Sequence, residues 1–189
     1  MDAVRAAFDA VRRERYLPPP ARSRAGSDAP VAIGHGQTNS QPRTVEAMLR
    51  LLEVRPGQHV LDLGAGSGWT TALLARLVGP EGCVHGVEIV GALVRFGSDN
   101  LRRDAVANAD LVHAQPGVLG DPEQSPYDRI LVSAEAREIP EALLGQLADP
   151  GRMVLPVNGV MTCVDRHDEH DRVTVHGNYR FVPLVHPAP

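Results

Sequence analysis

With 189 residues, 43% of them hydrophobic and 22% charged, the chain has the length and mixture of one globular domain able to bury a single sizeable core. Its formal charge of −4 gives no general attraction for nucleic acid. All 19 basic residues are arginine, which excludes lysine nucleophiles, Schiff bases and lysine-bearing phosphate loops. Val4, Phe8 and Val11, at i, i+4 and i+7, predict a short amphipathic helix within 2–15, ended by Pro18-Pro19-Pro20. Residues 18–41 then read as a long polar loop, of a length that in compact domains is usually functional or disordered. Its last stretch, IGHGQTNSQPR (33–43), is too polar for a strand. Val45, Met48, Leu49 and Leu52 mark one face of the next helix, closed by Pro56-Gly57.

From Gln58 the pattern changes to alternating strands and helices. HVLDLG is a strand, 70–78 a helix, CVHGVEI a strand and 91–103 a helix. ADLVHA and YDRILVSA follow as strands, PEALLGQLA as a helix before Pro150-Gly151, and RMVLPV as a fifth strand. Repeated units of this kind predict an α/β fold, a doubly wound, mostly parallel sheet. VMTCVDRHDEHDRVTVHG reads as an antiparallel hairpin, with YRFVPLV as a candidate last edge strand. No apolar run reaches the roughly 18–20 residues of a membrane span, and MDAVRAAFDAVRRER has no signal-peptide apolar region. A cytoplasmic protein without a membrane partner is expected.

VLDLGAGSGW carries the strongest local signal: Asp62, Gly64, Ala65, Gly66, Ser67 and Gly68 end a strand and open a helix. Glycine lets a backbone approach a ligand closely. The spacing differs from the dinucleotide fingerprint, whose third glycine falls three residues after the second, and Asp62 is foreign to it. Glu88, at the end of the next strand, is placed to accept the hydroxyls of a ribose. A tight turn and a solvated strand-end charge are the competing structural readings. Cys83 and Cys163 have no partner at metal or redox spacing and read as buried thiols. His167 and His170, among Asp165, Asp168 and Asp171, read as a solvated charged turn rather than a metal site, and no metal is expected.

DLGAGSG followed by GVEI resembles the glycine motif and acidic position of class I S-adenosylmethionine-dependent methyltransferases. IGHGQTNSQP, DRILVSAEAREIPEALLGQLADPGRMVLPV and RFVPL resemble, more narrowly, the protein-L-isoaspartate O-methyltransferases, from about Phe8 to Leu184. The resemblance implies a single Rossmann-like domain over 1–189, with a substrate cap (1–57), a cofactor-binding core (58–157) and a C-terminal hairpin (158–189). It implies S-adenosylmethionine as cofactor and isoaspartyl proteins or peptides as partners, with the monomer the expected state. The activity implied is methylation of the isoaspartyl α-carboxylate, which is ionised at neutral pH and needs no general base.

By the same resemblance Ser40 matches the active-site serine, with Gly36, Gln37, Thr38 and Asn39 shaping the substrate pocket. Asp62 and Gly64–Gly68 would hold the methionine end of the cofactor, and Glu88 the ribose. From spacing alone, Ser40 reads rather as the N-cap of the following helix, a role that does not exclude the other. Four positions depart from the family. Asn39 replaces an aliphatic residue of the pocket wall and His35 an often aromatic one. Gln115-Pro116 falls where a Gly-Asp pair would contact the adenine amino group, leaving Gln115 as a neutral acceptor. Arg22 and Arg24 are available to a negatively charged peptide. Trp69 packs against the cofactor loop or fills core. A carboxyl methyltransferase for one dedicated peptide or small molecule, and a non-catalytic binding domain, are the rival functions.

Overall fold

The computed structural model describes residues 2–185. Asp2 opens α1 (Ala3–Ala10), its carboxylate accepting the Arg5 N–H at 3.2 Å. The helix is shorter than its apolar spacing predicts, because Val11 turns extended and the chain tightens into 3-10 turns at Arg13–Tyr16 and Pro19–Arg24. The expected long loop contains an antiparallel hairpin, β1 (Val31–Gly34) and β2 (Gln37–Asn39). Polarity misleads here because the hairpin buries only one side: Val31, Ile33 and Asn39 are inside while their neighbours face water. Gly34, His35 and Gly36 make the reversal, all at positive φ (96°, 55° and 73°).

α2 (Pro42–Leu52) buries the predicted Val45, Met48, Leu49 and Leu52 face. Then come β3 (His59–Leu63), α3 (Trp69–Val78), β4 (Cys83–Glu88), α4 (Gly91–Arg103), β5 (Ala109–His113) and β6 (Tyr127–Val132). α5 (Glu141–Leu144), β7 (Leu147–Val157), β8 (Val160–His167) and β9 (His170–Asn178) complete the chain. The sheet order is β5-β4-β3-β6-β7-β8-β9, parallel through β7 and antiparallel beyond. Order reverses at β3, the place where such sheets open a ligand crevice at their C-terminal edge.

Two other elements differ from expectation. α5 is a single turn, and β7 starts before Pro150-Gly151, absorbing it through an irregularity opposite Tyr127–Arg129. The helix stops where Gln146 turns inward: its side chain accepts the Asp121 N–H and donates to the Leu119 and Ala142 carbonyls. YRFVPLV forms no strand; Val182 and Leu184 exchange backbone hydrogen bonds with Glu135 as a strap, joined by one bridge at Pro183. Residues 186–189 of the expected C-terminal segment lie outside the described residues.

One sheet face carries α2, α3 and α4 over Val60, Val84 and Leu131. The other packs Leu61, Val87, Ile130 and Met153 against α5 and the irregular segment 114–126. His85 anchors that segment, its two ring nitrogens each 2.8 Å from a carboxylate, Asp110 on β5 and Asp121. The hydrogen bond to Asp110, only partly offset by burial, raises its pKa above the ordinary 6.5. A raised histidine pKa stabilises the fold below 6.5 and loses that contribution as pH climbs through the folded value. His85→Gln should therefore lower the melting temperature more at about pH 5.5 than at about pH 9. An equal deficit at both, read by thermal melts, would remove the charged clamp.

Candidate active site

The cleft lies at the C-terminal ends of β3, β4 and β6, where the topology places it. It opens between the glycine turn, the end of β4 and the segments 37–40 and 182–185. The turn after β3 forms its floor, with Gly64, Gly66 and Gly68 at φ 82°, 54° and 81°. Positive φ is one reason these are glycines; close approach is another. A Cβ on Gly68 would stand 3.2 Å from the Gly97 carbonyl oxygen of α4. A Cβ on Gly97 would meet the Gly66 oxygen at 3.1 Å and the Ser67 carbonyl carbon at 3.2 Å. Turn and helix thus touch backbone to backbone.

Glu88 ends β4, buried at the rim of the cleft. Its Oε2 accepts the Gly66 N–H and its Oε1 the Val90 N–H, both at 2.8 Å. The carboxylate thereby fixes the turn, and each oxygen keeps a second lone pair for a ligand hydroxyl. Asp62 lies beneath the turn, fully buried and away from the cleft surface. Thr71 of α3 donates to its Oδ2 at 2.7 Å, while Oδ1 has no partner. Burial pushes its pKa up to about 7, with the Thr71 bond working downward and the Glu88 charge upward.

The roof is the hairpin end Gln37–Ser40 with the strap Val182–Val185. Ser40 faces the cleft and does not cap α2: the N-cap is Gln41, without a side-chain cap bond. The helix start is held instead by Asp28, whose carboxylate accepts the Arg43 N–H at 3.0 Å and a Gln41 amide bond at 3.1 Å. Asn39 is buried and bonded at both ends, so it belongs to a polar link rather than to an apolar wall. Its Oδ1 accepts from Arg13 Nε at 2.7 Å, and its Nδ2 donates to Ser67 Oγ at 3.2 Å. Trp69 does both things that sequence left open. It lines the cleft and packs edge-on against Phe8, with the Arg13 guanidinium 5.3 Å from its ring centre.

Of the residues singled out from sequence, the cleft surface gathers Gln37, Thr38, Asn39, Ser40, Gly64, Ala65, Gly66, Ser67 and Glu88. Gly36 is at the exposed hairpin tip, Gly68 caps α3, and Gln115 is exposed outside the cleft. Ala114, Val118, Leu119 and Gly120 form the wall after β5. Thr70 and Ser133 also line the cleft, and sequence reading missed them, as it missed Arg13. Arg13 sits in a run of arginines that nothing distinguishes. Gly97 did carry a signal, a glycine inside a helix pattern. In the hairpin turn, His167 Nδ1 pairs with Asp168 at 3.0 Å and Arg166 with Asp171 at 2.8 Å. Among the described residues no group of three or more His, Cys, Asp or Glu is placed to hold a metal ion, and no helix is long and apolar enough to cross a membrane.

A parallel sheet with a glycine turn, a helix and an acidic strand end at its switch point defines a Rossmann-like nucleotide-cofactor protein. The profile of the protein-L-isoaspartate(D-aspartate) O-methyltransferase family matches residues 1–188, and the chain belongs to that family. The protein-L-isoaspartate O-methyltransferase of Methanopyrus kandleri is 41% identical over 186 residues, covering 93% of this chain and 80% of its own. A solved Plasmodium falciparum protein of this kind, in complex with S-adenosyl-L-homocysteine, superposes with a TM-score of 0.87 at 28% identity, covering 98% of this chain and 91% of its own. Another solved protein-L-isoaspartate O-methyltransferase gives 0.86 at 27% identity; the match covers 98% of this chain and 62% of that one.

Proposed function

We propose that the chain catalyses S-adenosylmethionine-dependent methylation of the α-carboxylate of L-isoaspartyl residues, for repair of damaged proteins. One observation carries the choice of acceptor: among the described residues Glu88 is the single ionisable one lining the cleft, and both its oxygens are engaged by backbone N–H groups. A cleft whose described lining offers no free base suits a nucleophile that is already an anion at neutral pH, as a carboxylate is and an alcohol is not. The residues present fit the cofactor. The glycine turn leaves its backbone open to a ligand at the N-terminal end of α3, an end that favours negative groups such as the methionine carboxylate. Glu88 keeps acceptor capacity for ribose hydroxyls. Asp62 serves from below, holding α3 to β3 through Thr71.

When bound, S-adenosylmethionine supplies an electrophilic methyl group on sulfonium sulfur. Ser40 donates a hydrogen bond to one oxygen of the acceptor carboxylate and leaves the other free to react. The hairpin end and the strap align that carboxylate and shield it from water, and alignment alone can supply up to roughly 7–11 kcal/mol. The methyl ester formed is then lost as the neighbouring backbone nitrogen closes a succinimide and expels methanol. We further propose the monomer, in the cytoplasm, as the acting unit.

Methyl transfer to an isoaspartyl peptide, measured beside its aspartyl counterpart, tests the reading. Transfer to the isoaspartyl peptide alone is expected. Equal transfer to both, or transfer to neither with the cofactor bound, would end the repair assignment.

A further inference from the structure

Arg13 is buried and has no carboxylate in contact among the described residues. All of its hydrogen bonds go to the segment that shapes the substrate side of the cleft. Nη1 donates to the carbonyls of Ala25 and Ser27, and Nη2 to those of Ala29, Asn39 and Ser40, at 2.9–3.3 Å. Nε donates to Asn39 Oδ1. A guanidinium, with five N–H groups in a rigid fork, can gather one loop in this way; an ammonium with three cannot. From Asn39 the connection continues: its amide reaches Ser67 Oγ, and the Ser67 carbonyl accepts from the buried Asn100 of α4 at 2.9 Å. A continuous polar path therefore runs from Arg13, which holds the carbonyl of Ser40, to the middle of the glycine turn.

We propose that Arg13 and Asn39 are positioning residues that couple the two halves of the site, so that a cofactor settling the glycine turn also sets Ser40, and an acceptor ordering the hairpin tightens the cofactor. The inference rests on the methyl-transfer reading and adds an interdependence to it. Ser67 is the contact point. A ligand on the Gly64–Gly68 turn restricts its side chain and thereby the orientation of the Asn39 amide. That amide fixes Arg13 Nε, and through the same guanidinium the Ser40 carbonyl. Coupling of this kind is reciprocal: each ligand must raise the affinity of the other by the same factor. An aliphatic residue at position 39 would fill the space but break the path at both ends.

Calorimetry of S-adenosylhomocysteine with and without saturating isoaspartyl peptide reads the coupling without turnover. The natural chain is expected to bind the second ligand on the order of fivefold more tightly, or more, once the first is present. Asn39→Leu should bring that factor close to one, read as the ratio of affinities with and without the second ligand in the same variant, whatever this cleft-lining position does to each ligand alone. Asn39→Asp should keep the coupling, because a carboxylate still accepts from Arg13 and can accept the Ser67 hydroxyl proton in place of donating to it. Ser67→Ala cuts the same path from the other end and should match Asn39→Leu, which guards against a folding defect peculiar to one variant. Coupling that survives in Asn39→Leu and Ser67→Ala, or that is absent from the natural chain although both ligands bind, overturns the inference. A natural chain that binds no S-adenosylhomocysteine overturns the methyl-transfer reading first, and the coupling with it.

Discussion

Gly97→Ala should weaken S-adenosylhomocysteine binding about tenfold or more, although position 97 lies on a helix outside the cleft lining. In isolation the change favours helix, by roughly 1 kcal/mol. The added methyl group, however, enters space held by backbone. Its 2.7 Å approach to Leu111 Cδ1 is relieved by a rotamer change, but the Gly66 oxygen at 3.1 Å and the Ser67 carbon at 3.2 Å belong to the glycine turn. The turn must give by a few tenths of an ångström. Gly66 donates its N–H to Glu88, so the turn and the acidic strand end move together. Overpacking costs about 1–3 kcal/mol, which the helix gain partly offsets. Melting should shift by only a few degrees, and the loss should appear in ligand affinity. Unaltered affinity in calorimetry would show that the turn relaxes freely, and that its contact with α4 does not set the site.

Ser40→Ala should act the other way round. The hydroxyl caps no helix, since Asp28 takes that task, so stability should stay within about 0.5 kcal/mol of the natural chain. Arg13 holds Ser40 through its carbonyl, which alanine keeps. What should disappear is the proposed hydrogen bond to the acceptor carboxylate, of a class worth about 1.5–3 kcal/mol. Turnover of an isoaspartyl peptide should fall roughly 10- to 150-fold, with S-adenosylhomocysteine affinity unchanged. Steady-state kinetics beside calorimetry separates the two quantities. A normal rate would leave the acceptor to backbone groups and to the other hydroxyls of the cleft, those of Thr38, Ser67, Thr70 and Ser133.

Much of the fold was legible because its signals are local. Val45, Met48, Leu49 and Leu52 repeat at helical spacing, and the apolar runs around Leu61, Val87 and Ile130 each end at a glycine, an acid or a serine. What escaped depends on distant parts. β2 is polar because its buried residue, Asn39, satisfies itself through Arg13 and Ser67, 26 and 28 positions away in sequence. α5 stops early because Gln146 finds partners at Leu119 and Asp121. Neither bond leaves a trace in a hydrophobic pattern. The site divides in the same way. Backbone geometry announced Gly64, Gly66 and Gly68, and charge at a strand end announced Glu88. Nothing separated Arg13 from Arg12 and Arg15, and spacing made Ser40 look like a cap that the chain supplies from Asp28.

The bonds made by Arg13 and Asp28 also decide which part of the segment over the cleft can move. Arg13 grips the segment at Ala25, Ser27, Ala29, Asn39 and Ser40, and Asp28 staples it to the first turn of α2. A hinged lid would need a free arm, and this one is pinned along its length. Freedom is left at the outer bend, where Gly34, His35 and Gly36 are exposed and hold the turn with positive backbone angles. Entry of a peptide then calls for a small flexing at the fingertip of the hairpin. The entropy given up on closing is that of a few residues, not of the twenty-four that run from Pro18 to Gln41 in the sequence.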